Sequence, residues 1–359
     1  MDQPVPSEDA VLAAIGGFQD PETGRPVGTT GQIRHVSVDG PTIAVTLGLT
    51  SYAAPIAEQV RAELESLLRA RFPGAAPSVV LAPHQRPAEP QGQIGVPAKS
   101  VVAVGSGKGG VGKSSVAAWL AVGLRRAGAK VGLLDADVYG PSLPHLLGAQ
   151  QRPFGREGRI EPVVVEGVKL MSIGLLVPRE DAVIWRGPML HSALTQLLRD
   201  TAWDDVDYLI VDMPPGTGDL PISLSQLLPS AVAVVVCTPQ DVALLDAVKA
   251  VDMFRKVQLA VVGMVENMSY FVCPACSARH EIFGSGGAER RAGELGIPFL
   301  GRLPLDEQLR RLGDEGRVAA AFEHPSAAAD LEAICRRLVG NLVAARRTEP
   351  PRPTLPIIE

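Results

Sequence analysis

A run of eight residues has the types and spacing of a phosphate-binding loop. Its glycines would let the backbone wrap around an anion, because successive N–H groups can then point inward. Lys113 would neutralise the β- and γ-phosphates of a nucleotide, and the Ser114 hydroxyl would hold Mg²⁺. An apolar stretch precedes the run and a helical pattern follows it, as the motif requires. The residues predicted to bind ATP are Gly107, Lys108, Gly109, Gly110, Val111, Gly112, Lys113 and Ser114.

The loop contains a second lysine, Lys108, besides the one that the motif requires. It is either a solvated surface charge or a catalytic group that reaches a phosphate bound to a partner subunit, as an arginine finger does. The run from Lys108 to Ser114 resembles the deviant Walker A motif of dimerising ATPases, the group that contains the nitrogenase iron protein, MinD and ParA. In that group the signature lysine crosses the dimer interface, so the resemblance favours the role in trans.

Aspartates follow two apolar stretches that are typical of strands. Asp135 and Asp137 follow one stretch, and Asp212 and Asp219 follow the other. Because ligands bind beyond the carboxyl ends of parallel strands, both groups are expected beside the phosphate loop. Carboxylates there suit Mg²⁺ coordination and the positioning of an attacking water. For Asp135 and Asp219, helix capping and turn formation are the alternatives.

The same resemblance to dimerising ATPases assigns roles to three of these positions. It implies that Asp212 is the Walker B acid that serves Mg²⁺ and that Asp137 positions the water. It also implies that residues 216–218 form a switch that senses the γ-phosphate.

Cys273 and Cys276 have a Cys-x-x-Cys spacing that allows both thiolates to face one metal. The other two cysteines, Cys237 in an apolar strand and Cys335 in a helical pattern, are expected to be buried. Two thiolates are half of a four-cysteine site, and a two-fold dimer would supply the other half. The residue types leave an iron–sulfur cluster, a zinc ion and a redox disulfide open.

These residues need a framework that brings them to one edge of a sheet. Continuous apolar runs predict buried strands, and helical patterns fall between them. The alternation predicts an α/β fold of the P-loop NTPase class, with a mostly parallel sheet and helices on both faces. The predicted strands are 101–104, 131–134, 207–211, 231–236 and 260–265, and the predicted helices are 114–127, 189–200 and 241–256.

A small α+β domain is predicted ahead of this sheet. Residues 32–38 and 42–49 predict a hairpin, and the second arm alternates apolar and polar positions. Residues 79–81 would close the small sheet. A helical pattern with apolar residues three or four apart lies between the hairpin and that strand. Its apolar residues are Ile56, Val60, Leu64 and Leu67.

Composition sets the predicted domain boundaries. Residues 82–98 are rich in Pro, Gly and Gln, which is typical of a linker. The small domain then covers residues 1–81 and the ATPase domain covers residues 99–345. Residues 346–359 contain four prolines and predict a disordered tail.

The overall composition excludes several classes of protein. The 359 residues are 46% hydrophobic and 4% aromatic and carry a formal net charge of -5. The acidic net charge argues against a nucleic-acid binder, which usually carries a basic stripe, and no apolar run is long enough to span a bilayer. Four cysteines are too few for a disulfide scaffold, and the polar first residues do not resemble a signal peptide. We therefore expect a cytoplasmic protein without nucleic-acid or membrane partners.

Several stretches together resemble one family, the Mrp/ApbC iron–sulfur cluster carrier ATPases. The likeness covers roughly residues 99–340, and its motifs are dense and in order. They are residues 107–115, 135–142, 185–189, 207–219, 238–240, 266–270, 273–276, 283–287 and 303–306.

The resemblance implies a homodimer in which Cys273 and Cys276 of both subunits hold a 4Fe-4S cluster. The cluster would be passed to apoproteins in a cycle that needs ATP binding and hydrolysis, so apo iron–sulfur proteins and a cluster scaffold would be partners. The resemblance adds Ser115, Asn267, Pro304 and Asp306 to the nucleotide site. Asn267 would contact adenine and the loop from Pro304 to Asp306 would border it. For Asn267, a turn at a strand end is the alternative.

The small domain resembles one that is found in iron–sulfur assembly factors. The likeness rests on Asp20-Pro21-Glu22 and on residues 49–55. That domain usually has a cysteine before its proline, whereas this chain has Ala54 before Pro55. The resemblance therefore does not support a thiol-based role for this domain, and docking of a partner is the alternative.

Other functions stay open at this stage. A MinD- or ParA-like positioning ATPase would act on a membrane or DNA, and MinD-type proteins end in a basic amphipathic helix. An ATPase dimer bridged by a structural zinc would differ in its metal. A small-molecule kinase would need an acceptor pocket, to which no motif points.

Overall fold

The computed structural model describes residues 5–138, 140–176, 187–216 and 218–348. The chain divides into two compact units. The small unit comprises Met1–Arg86 and Val339–Glu359, and the large unit comprises Pro87–Leu338. Each unit has its own sheet, as the sequence predicts for an α/β domain preceded by an α+β domain.

In its described residues, the small unit contains a three-stranded sheet in the order β1-β2-β3. The predicted hairpin forms as the antiparallel pair β1 and β2, and β3 pairs with β2 in parallel. A 3-10 helix, Ser51–Ile56, leads into the second helix. The elements are α1 Glu8–Ile15, β1 Ile33–Asp39, β2 Thr42–Leu49, α2 Ala57–Arg71 and β3 Ala76–Pro83.

One face of α2 packs into the core of the small unit. Val60 and Leu64 are buried as predicted. The third buried position is Leu68, whereas the predicted Leu67 is only half-buried. Residues four apart lie almost above one another on a helix, so 60, 64 and 68 share a stripe. The predicted Leu67 lies at the edge of that stripe.

The large unit alternates strands and helices along the chain. Over the residues that the structure describes, its sheet has ten strands, and β7 and β8 form a separate hairpin. A 3-10 helix, Val318–Glu323, precedes the last helix. The strands are β4 Pro90–Gln91, β5 Val96–Gly105, β6 Val131–Asp135, β7 Phe154–Arg156, β8 Arg159–Glu161, β9 Val163–Val165, β10 Val168–Ser172, β11 Val206–Asp212, β12 Val232–Cys237, β13 Ala260–Val272, β14 Arg279–His280 and β15 Phe299–Pro304. The helices are α3 Lys113–Arg126, α4 Leu143–Leu146, α5 Ile173–Leu176, α6 Gly187–Asp200, α7 Leu220–Leu227, α8 Asp241–Lys256, α9 Gly287–Leu295, α10 Glu307–Asp314 and α11 Ala328–Thr348. The residues of α11 from Val339 onward belong to the small unit.

Seven parallel strands form the body of the large sheet, in the order β15-β13-β12-β5-β11-β6-β10. Antiparallel strands are added at β9, β14 and β4. Every residue of β6 and β11 is buried, which explains why these strands are continuous apolar runs. The predicted, mostly parallel sheet is confirmed.

Helices cover both faces of this sheet. Val101 and Ala103 of β5 belong to a hydrophobic cluster with residues from α6 to α9. Val102 and Val104 point to the opposite face, because successive strand residues alternate, and they are equally buried. The long helix α3 packs against β5, β6 and β11. The sheet therefore holds the phosphate loop, which joins β5 to α3, at its carboxyl edge.

Parts of the segments predicted as linker and tail have regular secondary structure. Within residues 82–98, β4 pairs with the start of β5, and the turn between them has positive φ at Gly92 and Gly95. A Pro- and Gly-rich composition is thus compatible with a short paired ribbon. At the other end, α11 continues through Thr348, three residues into the predicted tail. Residues 349–359 lie outside the described part of the chain, in which no helix is long and apolar enough to cross a membrane.

Candidate nucleotide site and cysteine hairpin

The predicted phosphate loop joins the end of β5 to the first residue of α3. Gly110 and Gly112 have φ values of 81° and 80°, a left-handed conformation that favours glycine. A Cβ on Gly107 would lie 2.1 Å from the backbone oxygen of Asp246, and a Cβ on Gly112 would lie 2.2 Å from Nδ2 of Asn267. The loop is therefore wrapped so tightly that side chains at these positions would not fit, which suits backbone binding of phosphate.

Lys113 lies among oxygen atoms at the base of this loop. Its Nζ is 2.5 Å from Oδ1 of Asp212, 3.7 Å from Oδ2 of Asp137 and 3.2 Å from the Ser114 hydroxyl. The side chain is almost completely buried. Ser114, Asp137 and Asp212 come from three separate parts of the chain, and all three lie around the Lys113 ammonium group.

Asp212 and Asp135 are partners in register at the ends of the adjacent strands β11 and β6. Burial raises the pKa of Asp212, and the ammonium of Lys113 opposes that shift. Burial and repulsion by Asp212 raise the pKa of Asp135. Oδ2 of Asp212 is buried and accepts no hydrogen bond from any described residue. This oxygen and the Ser114 hydroxyl are hard donors of the kind that Mg²⁺ prefers, so the residues present fit that ion.

Asp135 organises the segment that carries Asp137. Its carboxylate accepts hydrogen bonds from the backbone nitrogens of Asp137 and Leu143, each at 3.2 Å, and from the Ser172 hydroxyl at 3.1 Å. Asp135 thus holds the backbone of the segment that follows β6, which agrees with the turn-forming alternative for this residue. Ser172 was not among the predicted site residues; it is the last residue of β10 and lies in register with Asp135 of β6. Its signal in the sequence was a polar residue directly after the apolar pair Leu170-Met171.

The segment after Asp212 lies against the phosphate loop. The backbone nitrogen of Gly216 donates to the carbonyl of Ser106 at 2.9 Å. The backbone nitrogen of Met213 donates to the carbonyl of Val104 at 3.0 Å. Asp219 lies at the N-cap of α7, and its side chain accepts no capping hydrogen bond from the described residues of that helix. Of the predicted motif positions, Tyr139, Trp185, Arg186 and Thr217 are among the undescribed residues.

Two further predicted residues lie in or beside the loop. The carbonyl of Lys108 accepts a hydrogen bond from the Ser106 hydroxyl at 2.9 Å, and the residue is half-buried. Ser115 is the third residue of α3 and is also half-buried. The role of Lys108 in trans stays a prediction.

The residues predicted to contact adenine have clear structural partners. Asn267 is buried, and its Nδ2 donates to the carbonyl of Val111 at 2.9 Å. Asp306 follows β15, which ends at Pro304, and caps α10 by accepting from the backbone nitrogens of Gln308 and Leu309 at 2.7 and 3.2 Å. The structure thus ties Asn267 to the phosphate loop, and the adenine contacts stay predictions.

Cys273 and Cys276 lie in the turn that connects β13 to β14. The Cys273 nitrogen donates to the Ala278 carbonyl at 2.9 Å, and the Ser277 nitrogen donates to the Cys273 carbonyl at 2.8 Å. The backbone nitrogens of Ala275 and Cys276 lower the pKa of the Cys273 thiol, because they donate hydrogen bonds to its thiolate. We call residues 271–280 the cysteine hairpin.

All four cysteines are free thiols, but the two pairs differ in access. Burial raises the pKa of Cys237 to about 12 and does the same for Cys335. Cys276 is exposed and Cys273 half-buried. Within the described ranges, no three His, Cys, Asp or Glu side chains come together as a metal site. One chain therefore brings two accessible thiols to the hairpin.

Two family models match this chain. Residues 97–339 match the family described as "NUBPL iron-transfer P-loop NTPase", and residues 8–79 match "Iron-sulfur cluster assembly protein". The two matches correspond to the large sheet with its phosphate loop and to the small α+β unit.

Two relatives are similar over nearly the whole chain. An iron–sulfur cluster carrier protein of Deinococcus radiodurans is 46% identical and aligns over 98% of this chain and 99% of its own length. One of Escherichia coli is 42% identical over 94% and 93%. A solved nucleotide-binding protein of Archaeoglobus fulgidus, in complex with ADP, is 40% identical, covers 64% of this chain and 90% of its own, and has a TM-score of 0.57.

Proposed function

Because the chain belongs to the family of NUBPL iron-transfer P-loop NTPases, we propose that it carries iron–sulfur clusters to apoproteins in a cycle driven by ATP binding and hydrolysis. The observation that carries this proposal is that one folded unit holds both a phosphate loop with convergent carboxylates and a pair of accessible thiols. The relatives that share almost the full length are named as carriers of such clusters.

The nucleotide half of the mechanism rests on the residues around Lys113. ATP phosphates would replace the carboxylates as partners of the Lys113 ammonium, and the loop nitrogens would bind the phosphate oxygens. Ser114 and Asp212 would hold Mg²⁺, which when bound neutralises charge on the β- and γ-phosphates. Asp137, in a segment oriented by Asp135, would position the attacking water. Lys108 would act on the nucleotide of the partner subunit.

The cluster is the cargo and would be held by the cysteine hairpin. A 4Fe-4S cluster takes four thiolates, so Cys273 and Cys276 would need the same pair from a second subunit. The hydrogen bonds that lower the pKa of Cys273 favour the thiolate, which is the form that binds iron. An accessible turn suits a cluster that must leave for an acceptor.

The small unit would serve the exchange of clusters with a scaffold or an apoprotein. It matches an iron–sulfur assembly family, and residues 1–86 contain no cysteine. Docking is therefore the role we assign to it, and no thiol in this unit takes part.

Anaerobic reconstitution with iron and sulfide tests the cargo. The wild-type protein is expected to bind iron and acid-labile sulfide and to elute as a dimer. Cys273→Ala is expected to bind neither iron nor sulfide. Cys335→Ala is the matched control, because that thiol is buried away from the hairpin. Zinc without sulfide would support a structural zinc dimer instead. An iron-loaded monomer would contradict the shared cluster.

Transfer to an apo acceptor tests the coupling to ATP. Lys113→Ala should load a cluster but transfer it more slowly than wild type in the presence of ATP. Transfer at the wild-type rate would refute the coupling and leave cluster binding intact. Co-sedimentation with membranes or DNA would point to a positioning ATPase.

A further inference from the structure

The strand β13 passes the phosphate loop and continues to the cysteine hairpin, and its pairing with β15 is irregular where it passes the loop. Glu266 and Tyr270 of β13 pair with Arg302 and Pro304 of β15, so four steps on one strand match two on the other. The extra residues form a β-bulge, and Met268 within it has a φ of 57°. Residues 266–270 are called the Met268 bulge below. A left-handed methionine is a strained backbone that the surrounding structure must hold in place.

Two residues of the Met268 bulge, Asn267 and Met268, lie beside the phosphate loop. Asn267 donates to the Val111 carbonyl at 2.9 Å. Cε of Met268 lies 3.9 Å from the position that a Cβ on Gly112 would take. Val111 and Gly112 directly precede Lys113, so a change in loop geometry on phosphate binding would act on the bulge first.

The bulge is closed by its own side chains. The Ser269 hydroxyl donates to Oε1 of Glu266 at 2.5 Å, which connects the two ends of the kink. Glu266 is fully buried and also accepts from the backbone nitrogens of Gly286 and Ala288 at 2.9 and 2.7 Å. Because the kink is closed in this way, a displacement of Asn267 would be passed along the strand instead of being absorbed between residues 266 and 269.

The strand after the bulge is fastened to the cysteine hairpin. The Arg279 guanidinium lies 3.8 Å from the centre of the Tyr270 ring, and Arg279 pairs with Val272 across the hairpin. The Tyr270 hydroxyl donates to Asp330 at 2.5 Å. Cys273 follows Val272 directly. Asn267 and Cys273 are six positions apart along β13 and its end.

From these contacts we infer that the Met268 bulge transmits the state of the phosphate loop to the cysteine hairpin and so regulates how the two thiols are presented. The inference rests on the proposed function, because it assigns a path to the coupling between nucleotide and cluster. Met268 is a positioning residue in this view, since it acts on Cys273 only through the strand.

The test measures alkylation of the hairpin thiols by N-ethylmaleimide in the cluster-free protein, with and without Mg²⁺ and the analogue AMP-PNP. In the wild type, the analogue should change the rate by about fivefold or more, a usual size for coupling between sites. Met268→Gly frees the backbone and removes the side chain from the loop, so the rate should no longer respond. Affinity for AMP-PNP is measured in parallel.

Two variants serve as controls. Met268→Asn retains a residue that accepts the left-handed conformation, so part of the response should return. Gln258→Gly removes another left-handed residue, with a φ of 61°, just before β13, and the response should be unchanged. An intact response in Met268→Gly that still binds AMP-PNP would overturn the inference.

Hydrogen exchange in the wild type keeps the inference testable if Met268→Gly fails to bind nucleotide or to fold. AMP-PNP should change exchange at residues 269–273 as well as in the loop, and a change confined to the loop would overturn the proposed path. The outcome for the carrier function is separate. Failure of the wild type to take up iron and sulfide would contradict the carrier function, independently of the rate at which the thiols are alkylated.

Discussion

The phosphate loop and the cysteine hairpin differ in how much of a site one chain can supply. The first is built at the buried ends of β5, β6 and β11, and its charged groups already face one another around Lys113. The second is an accessible turn that offers two thiols. The difference shows that the core fixes the charged groups of the loop against one another, whereas the hairpin leaves its thiols where a second molecule can reach them.

Changing Gly112 to Ala should break the nucleotide half while leaving the hairpin intact. The new Cβ would lie 2.2 Å from Asn267, and the residue has a φ of 80°. Because the loop cannot close around phosphates, we expect ATP binding and hydrolysis to be lost, as measured by calorimetry and phosphate release. Gly293→Ala, in α9 with open space around the site, is the control. Retained hydrolysis in Gly112→Ala would contradict the tight wrapping described here.

Thiol labelling should sharpen the contrast between buried and accessible cysteines. Burial raises the pKa of Cys237 and Cys335 to about 12, so their thiolate fraction should be about 10³-fold below that of an ordinary thiol. The pKa of Cys273 is lowered, so its thiolate persists as pH falls and is lost only below that lowered pKa. Peptide mapping after alkylation should find label on Cys273 and Cys276 alone. Equal labelling of all four would remove the contrast.

Asp137→Asn should separate ATP binding from hydrolysis. The carboxylate that would position water is lost, but Lys113 keeps Asp212 as its close partner. We expect hydrolysis to fall by about 10²-fold with little change in nucleotide affinity. Steady-state kinetics with an independent binding assay would check this. A comparable loss in Asp219→Asn would assign the water to the other loop.

Arg279→Ala should loosen the hairpin by a small amount. Its stacking on Tyr270 at 3.8 Å is worth about 0.5–1 kcal/mol at an accessible site. Global unfolding should hardly change, because the hairpin lies outside the core, but amide exchange at residues 271–280 should be faster. Arg279→Lys, which keeps the charge, should recover part of the protection. An effect on ATP hydrolysis as large as that of Asp137→Asn would contradict the separation of the two sites.

Patterns of residue type were enough for the parts that depend on local chemistry. The apolar runs predicted the parallel strands, because strands buried on both faces must be apolar throughout. The glycines predicted a phosphate loop because few other residues allow that backbone. Lys113 and Ser114 predicted it because their side chains suit phosphate and Mg²⁺. The Cys-x-x-Cys spacing predicted the paired thiols but left the metal open.

The remaining features depend on contacts between residues far apart in the chain. No local pattern marks Asn267 as a partner of Val111, or Asp135 as the anchor of Leu143 and Ser172. The positive φ of Met268 is imposed by the pairing of β13 with β15, against the preference of methionine itself. Sequence alone therefore determined which groups the protein has and what chemistry they suit. Only the tertiary structure decided which of them touch, because hydrogen bonding and burial at the sheet edge are set by strand order and register.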